Sequence, residues 1–480
     1  MLKKRTIGSL GLEASPLGAG VMRLEEIRDL FSPEAFELVD FAMSQGINYF
    51  DTAYFYNSGR SEEFLRRALV EKYPRDSFII ADKLPIWQCA DRKEMERIFD
   101  IQMERLGVEY IDVYLLHALQ KEIWKRIYNL GVLDFLDEMK RQGRIRYVGF
   151  SFHDNADVLP MIVDAYDWDI AQLQINYYDW IVHDVKQSYE FLRERSIPII
   201  VMEPVGGGRL AKLPEEVESI FKALNPENSI PSLAIRFCAS LPGVEIVLAG
   251  MRTKAEFIDN TSCFAPFVPL SKEEYAALEK GVKIIQNSGA IPCSACRYCT
   301  GDCPSGIDIP HIFQQYNDYK MFNRPISLTW AYFDMNPPSR RADKCVNCGH
   351  CTRICPQGID VPEQLMLVHE RAVLLAVFGK NADVDKMLDG SRDKTVIFFG
   401  AGAFGKTVLS YAIKREIPVE YFCDNGKELW GTEVEGIKVI SPEQLKQQYD
   451  TSDAWVLITN QHAHSAIKKQ LEAVGIASAN

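Results

Sequence analysis

Residues Ile47–Val70 read INYFDTAYFYNSGRSEEFLRRALV, and the order of their chemistry decides the fold. An apolar run, Ile47–Thr52, carries Asp51 near its end. An aromatic loop, Tyr54-Phe55-Tyr56, follows it. Ser61–Val70 then repeats apolar residues at helical spacing. A short buried strand feeding an amphipathic helix is one βα unit. Working outward, the same grammar recurs at Pro16–Met22, Ser77–Lys83, Ile111–His117, Ile145–Ser151, Ile170–Asn176, Ile197–Pro204 and Val244–Gly250. With Ile47–Thr52 these make eight strand-like runs, separated by helical patterns such as Lys93–Leu106 and Leu130–Arg141, the latter stopping before Gly143. The expectation is an α/β protein whose first 285 residues form a parallel (β/α)8 TIM barrel. Lys4–Ser15 reads as a hairpin turning at Ser9–Gly11, placed to plug the bottom of that barrel.

Barrel active sites lie at the C-terminal ends of the strands. Asp51 and Tyr56 belong to the second strand end and its loop, Lys83 to the third and His117 to the fourth. A carboxylate, a phenol, a lysine and an imidazole at successive strand ends suit carbonyl reduction, which needs a proton donor to the developing alkoxide. A tyrosine of ordinary pKa, about 10, is too weak an acid to be ideal. The expectation is that the Lys83 ammonium lowers it, with Asp51 holding the lysine and His117 orienting the carbonyl oxygen.

Composition sets outer bounds. The chain has 480 residues, a net charge of −12 and 47% hydrophobic content. That length suggests roughly two to four domains. An acidic chain without a basic cluster argues against nucleic acid as a partner, and no apolar stretch approaches the roughly 18 residues of a membrane span. Met1–Arg5 is basic, but Thr6–Glu13 supplies no apolar signal core. A cytoplasmic protein is expected.

The second half carries one cysteine phrase twice: Cys293, Cys296, Cys299 and Cys303 before Pro304, then Cys345, Cys348, Cys351 and Cys355 before Pro356. Each copy is C-x2-C-x2-C-x3-C-P, the run that holds 4Fe–4S clusters in two-cluster ferredoxins, where the fourth cysteine ligates the other cluster. Two clusters are expected. Cys293, Cys296 and Cys299 would pair with Cys355, and Cys345, Cys348 and Cys351 with Cys303. Structural zinc also uses C-x2-C steps, but seldom three in succession with a trailing C-P. Ile309–Tyr319 and Glu363–Phe378 read as helices, so residues 286–380 resemble the helical ferredoxin modules of multidomain reductases.

Residues 393–480 form the last part. Thr395–Phe399 reads as a buried strand, Gly400, Gly402 and Gly405 as a G-x-G-x-x-G turn into a helix from Lys406 to Arg415, and Val419–Asp424 as a second strand ending in an acid. That context suits a Rossmann-like fold with a phosphate at the helix N-terminus. The segment resembles small Rossmann-like modules appended to sugar-modifying enzymes. A nucleotide-binding role and a purely structural one both stay open.

At residues 50–69, FDTAYFYNSGRSEEFLRRAL, and in IIADK, LGVEYIDVYLLHAL and GRIRYVGFS, the chain resembles the aldo-keto reductase family over roughly residues 2–285. The resemblance implies Tyr56 as acid and base, supported by Asp51, Lys83 and His117. It implies NADPH or NADH, with Ser151 and Gln172 at the carboxamide, Gly206, Gly207 and Gly208 near the pyrophosphate, and Gly250, Arg252 and Asn260 in the last contact region. The chain departs from the family at Phe152, where an asparagine is usual, and at Met202, where many members stack a tyrosine on the ring. It departs again at Glu256, where NADPH-preferring members often carry arginine.

The leading expectation is an NAD(P)H-dependent oxidoreductase acting on a small-molecule carbonyl or alcohol. It would carry two 4Fe–4S clusters for one-electron transfer, with a redox partner protein conceivable. The alternatives are an electron-transfer or docking protein with a non-catalytic barrel, and a sugar-nucleotide oxidoreductase.

Overall fold

The computed structural model describes residues 1–26, 29–183, 185–293, 299–322, 324–355, 358–379, 384–391, 393–451, 453–460 and 463–480. They divide into two compact units, Met1–Ile285 and Gln286–Asn480.

In the first unit, β1 (Arg5–Ile7) and β2 (Leu12–Ala14) pair antiparallel as the expected hairpin. Eight strands then close into a barrel: β3 (Leu17–Gly20), β4 (Tyr49–Asp51), β5 (Ile79–Leu84), β6 (Ile111–Leu119), β7 (Ile145–Phe152), β8 (Ile170–Gln174), β9 (Ile199–Met202) and β10 (Val244–Ala249). Each pairs with its neighbour in parallel, and β10 returns to β3. Alternation along the strands sends Tyr49, Ile79, Ala81, Val113, Leu115, Ile170, Ile200 and Ile246 into one interior core, to which the hairpin adds Ile7 and Leu12. Tyr147 pins the hairpin turn by donating to the Leu10 carbonyl at 2.6 Å. The hairpin therefore packs into the barrel interior at the bottom and leaves the other mouth for chemistry.

The outer helices differ from the sequence reading at two places. Ser61–Val70 is an α-helical turn, Ser61–Leu65, that widens into a π turn over Arg66–Val70. The helix read as Leu130–Arg141 starts at Val132, because left-handed Gly131 (φ 74°) separates it from an additional helix, Lys121–Asn129. That helix buries only Trp124 and Ile127, so its apolar signal is thin.

In the second unit, the helices Ile309–Phe322 and Val361–Phe378 pack together over a core that also holds Ile307, Tyr332, Ala342 and Cys351. A five-stranded sheet follows in the order β13-β14-β12-β11-β15, from β11 (Thr395–Phe399), β12 (Val419–Cys423), β13 (Glu433–Val434), β14 (Ile437–Ile440) and β15 (Ala454–Ile458). All its pairings are parallel except the edge hairpin β13–β14. Along β11, Val396 and Phe398 face one core while Ile397 and Phe399 face another, so both sheet faces are covered. The helix Val361–Phe378 serves two cores. Leu365, Val368 and Ala372 pack with the cysteine-bearing part, and Val373, Leu374 and Val377 pack with the sheet.

Candidate active site and cysteine centre

The barrel fold brings Asp51, Tyr56, Lys83 and His117 together. Asp51 ends β4, Lys83 lies near the end of β5 and His117 near the end of β6. Lys83 Nζ donates to Asp51 Oδ1 at 2.6 Å and to the Thr52 carbonyl at 2.7 Å, with its side chain 1% exposed. The same nitrogen stands 4.8 Å from the centroid of the Tyr56 ring. His117 meets Tyr56 edge-on at 5.9 Å between centroids. Two contacts build an aromatic wall beside them: Trp87 lies 5.1 Å from His117 and stacks on Phe55 at 5.4 Å.

Backbone strain collects at this mouth. Asn57 (φ 54°), Ser58 (φ 58°), Ala118 (φ 54°) and Glu203 (φ 54°) are left-handed without being glycine, a conformation retained mainly where the surroundings over-determine it. Asn57 is held by its Nδ2 donating to the Val21 carbonyl at 3.0 Å. Ala118 is held by its N–H donating to Ser151 Oγ at 2.7 Å, where β6 shifts register between Leu116 and Leu119. Ser151 thus fixes the irregularity that presents His117, and its own hydroxyl hydrogen stays available for another acceptor.

Burial dominates the electrostatics. Burial disfavours the Lys83 charge, but Asp51, Tyr56 and the adjacent Asp82 more than offset it, so Lys83 is held as an ammonium. Burial raises Asp51, against the pull of Lys83. The expected lowering of Tyr56 is not what the site produces. Burial of the phenol raises it, Asp51 adds to the rise, and Lys83 only partly counters them. The main cause is that burial of the phenol outweighs the pull of Lys83, with the Asp51 charge adding to the rise. Burial, with Lys83 and His153 nearby, pushes His117 well below the ordinary histidine value, so the imidazole is neutral. Its Nδ1 is buried without a partner.

Gln172 lies buried on β8, bonds through Nε2 to Met202 Sδ at 3.6 Å, and leaves Oε1 buried without a donor. An unpaired acceptor beside a hydroxyl able to donate fits a primary carboxamide. Gly206, Gly207 and Gly208 follow β9 with φ of 55°, 63° and 90°, a run only glycine adopts freely. Asn260 is buried, whereas Gly250 and Arg252 are exposed. Arg252 pairs with Glu256 at 3.2 Å. Tyr177 and Trp180 follow β8 in the helix Tyr177–Val182. They pack on Phe237 in the helical layer.

In the second unit, one pocket is lined by Cys299, Cys303, Cys345, Cys348 and Cys351, together with Asp302, Ile307 and His350. Cys355 is not among its lining residues. The Ile307 N–H donates to Cys303 Sγ at 3.4 Å. Cys293, Cys299 and Cys355 are half-buried and pack on the same core, and Cys296 lies outside the described residues. Among the described residues, no three His, Cys, Asp or Glu side chains converge as a single-ion site. The soft thiol donors ring a space instead, a donor set that suits an iron–sulfur group. Cys89, Cys238, Cys263 and Cys423 are buried, away from any such set.

At the start of β11's following helix, Ala403–Lys414, Gly402 is the N-cap, and Gly400 has φ 122°. A Cβ on Gly405 would stand 2.0 Å from the Gly400 carbonyl oxygen, so glycine is obligatory there. Asp424 accepts from the Ala401 and Gly426 N–H groups at 2.9 and 2.8 Å. Its carboxylate is engaged in bracing the glycine turn.

Glu62 and Asp82 are site residues that sequence reading passed over. Both are 0% exposed. The available signal was a carboxylate in an otherwise apolar strand, next to Lys83 and therefore on the opposite face.

Residues 16–283 match the sequence profile of the Aldo/keto reductase family, residues 292–359 that of a 4Fe-4S dicluster domain, and residues 392–480 that described as C2185-like, N-terminal. The chain is 23% identical over 296 residues to L-galactose dehydrogenase of Arabidopsis thaliana, covering 57% of this chain and 91% of the relative. It is 25% identical over 319 residues to the uncharacterized oxidoreductase YqkF of Bacillus subtilis, covering 59% and 97%. Among solved structures, the holo form of aldo-keto reductase AKR11C1 from Bacillus halodurans matches 58% of this chain and 96% of its own. That match has 24% identity and a TM-score of 0.48.

Proposed function

Because the chain belongs to the aldo/keto reductase family and is an oxidoreductase, we propose that it reduces a small-molecule carbonyl, or oxidises the matching alcohol, with NADPH or NADH. Tyr56 is the proton donor and acceptor in this reading. The observation that carries it is the buried Asp51–Lys83 pair set under the Tyr56 ring, with neutral His117 at the ring's edge.

A dihydronicotinamide held at this mouth supplies the hydride. All other demands fall on the side chains. Gln172 Oε1 would accept from the carboxamide and the Ser151 hydroxyl would donate to it. Gly206–Gly208 leave room for a pyrophosphate to approach the backbone. Neutral His117 donates a hydrogen bond to the substrate carbonyl oxygen and orients it. Tyr56 is protonated in the free enzyme, as reduction requires, and gives its hydroxyl proton to that oxygen as the alkoxide develops. Lys83 then stabilises the phenolate, and Asp51 fixes Lys83 for that task. A 2′-phosphate would meet an Arg252 already paired with Glu256, so the choice of dinucleotide turns on that pair.

Residues 286–380 are read as carrying two 4Fe–4S clusters, whose chemistry is one-electron transfer. Cys303 shares a pocket with Cys345, Cys348 and Cys351, as crossed ligation asks, and Cys299 of the first copy lines that pocket as well. The bond from the Ile307 N–H to Cys303 suits a ligated thiolate. Residues 393–480 are read as a Rossmann-like part that shares the helix Val361–Phe378 with the cysteine-bearing part.

The test is anaerobic reconstitution followed by a panel of carbonyls with each dinucleotide. Stoichiometric oxidation of one dinucleotide by a carbonyl is expected. Failure of either dinucleotide to bind, followed by fluorescence, would favour an electron carrier with a silent barrel.

A further inference from the structure

Behind the Lys83 strand lies a cluster of charge that the reaction as described does not use. Asp82 points away from the barrel interior, toward the helices Ser61–Leu65 and Arg92–Leu106, and there it meets Glu62. Both carboxyls are 0% exposed and lie within hydrogen-bonding reach of each other.

Each oxygen can be followed. Asp82 Oδ1 accepts from the Lys83 N–H at 2.8 Å, and Glu62 Oε2 accepts from Arg105 Nη1 at 2.9 Å. Asp82 Oδ2 and Glu62 Oε1 remain, both buried and both without a donor. An ionised carboxylate only accepts hydrogen bonds, so two such oxygens in contact repel and leave both lone-pair sets unpaired. A single proton between them satisfies both at once.

Charge counting reaches the same place. The groups that face the pair come from every packed element. Arg105 and Gln102 come from the helix Arg92–Leu106, Tyr114 comes from β6 and donates to Gln102 at 2.6 Å, and Lys83, itself paired with Asp51, acts from the barrel side. Lys83 is paired with Asp51 and Arg105 with Glu62, which leaves Asp82 as a third carboxyl against two cations. With every carboxyl ionised, a buried negative charge is left uncompensated, which is strongly unfavourable. One shared proton makes the cluster neutral.

We propose that Glu62 and Asp82 share one proton, and that this acid–carboxylate pair is a positioning element that sets the charge felt by Lys83 and, through it, by Tyr56. The second half rests on the proton-donor role read for Tyr56; the first does not. Burial and the Glu62 charge raise Asp82 well above the usual carboxylate range, in keeping with the shared proton. Losing it in alkali adds a negative charge one residue from Lys83, which favours the protonated forms of Lys83 and Tyr56.

Infrared difference spectra of the full chain, neutral against alkaline, test the first half without turnover. A carboxylic-acid carbonyl band is expected at neutral pH in the unmodified protein. It should vanish in alkali and be absent from both Asp82→Asn and Glu62→Gln, whose amides donate to the remaining carboxylate. No such band in the unmodified protein overturns the pair, as does a band that survives both substitutions and disappears only in Asp51→Asn. The pH profile of kcat/KM for carbonyl reduction tests the second half. In Asp82→Asn the alkaline limb should move to lower pH by roughly half a unit or more. A uniform loss of activity with the limb unmoved would mean the pair is structural and overturn its coupling to Lys83. If Tyr56→Phe retains full activity, the reading of Tyr56 fails while the infrared result stands by itself.

Discussion

At the scale of single residues, the site buries its titratable groups, so that burial first and the nearest charges second set each ionisation. His117 illustrates the consequence. Its imidazole is held well below the ordinary value of about 6.5 by burial, with Lys83 next in effect. A base with a lowered folded pKa stays neutral while the unfolded chain takes up a proton below about pH 6.5. Folding stability from this residue is therefore present above that pH and is lost as pH falls toward the folded value. The kcat/KM profile should show no histidine inflection near pH 6.5. In urea unfolding, the stability of the wild-type chain relative to His117→Gln should decline between neutral pH and pH 5. An inflection at the ordinary histidine value would show a solvated imidazole. The tetrad was legible in the sequence because strand ends on a barrel converge on one mouth. The sign of the Tyr56 shift was not, because it depends on how completely the fold buries the phenol against the pull of Lys83, which strand-end positions do not reveal.

At the scale of elements, strand runs were readable because parallel strands buried on both faces are continuous apolar stretches. All eight barrel strands overlap the runs read from the sequence. The helix Lys121–Asn129 escaped because it buries little. The double use of the helix Val361–Phe378 escaped for another reason: an almost uninterrupted apolar sequence says that a helix is buried, not against what. Its Leu374, 0% exposed, packs in the sheet's core, while Val368 of the same helix packs in the cysteine-bearing core. Leu374→Ala should cost about 2–5 kcal/mol, measured by denaturation of a fragment-free, full-length protein. If the helix transmits that loss, cluster retention under mild heating should fall with it. Unchanged stability would mean that this contact contributes nothing to the unit.

At the scale of the whole molecule, the chain joins an aldo/keto reductase barrel to a 4Fe-4S dicluster domain. In the proposed reading the proton donor Tyr56, its lysine Lys83 and the imidazole of His117 all belong to the barrel, and no step of it draws on the cysteine centres. Anaerobically prepared Cys345→Ala should therefore keep dinucleotide-dependent carbonyl reduction within about twofold, a difference below 0.5 kcal/mol. On the proposed two-cluster reading it should also lose one cluster signal in electron paramagnetic resonance of the reduced protein. Loss of carbonyl reduction in a folded variant would show that the clusters take part in turnover. The doubled cysteine phrase was readable from spacing alone. Its purpose was not, because spacing specifies ligands and says nothing about where their electrons go.

The measurement that bears most directly on the account is steady-state carbonyl reduction by Tyr56→Phe, set beside dinucleotide binding by fluorescence titration. The substitution removes one oxygen and leaves the ring that stands over Lys83. The account predicts a fall in kcat of about 10²–10⁴-fold, the range of a general acid, with dinucleotide affinity within about threefold of the unmodified protein. A variant that reduces carbonyls within threefold of the wild-type rate would contradict it.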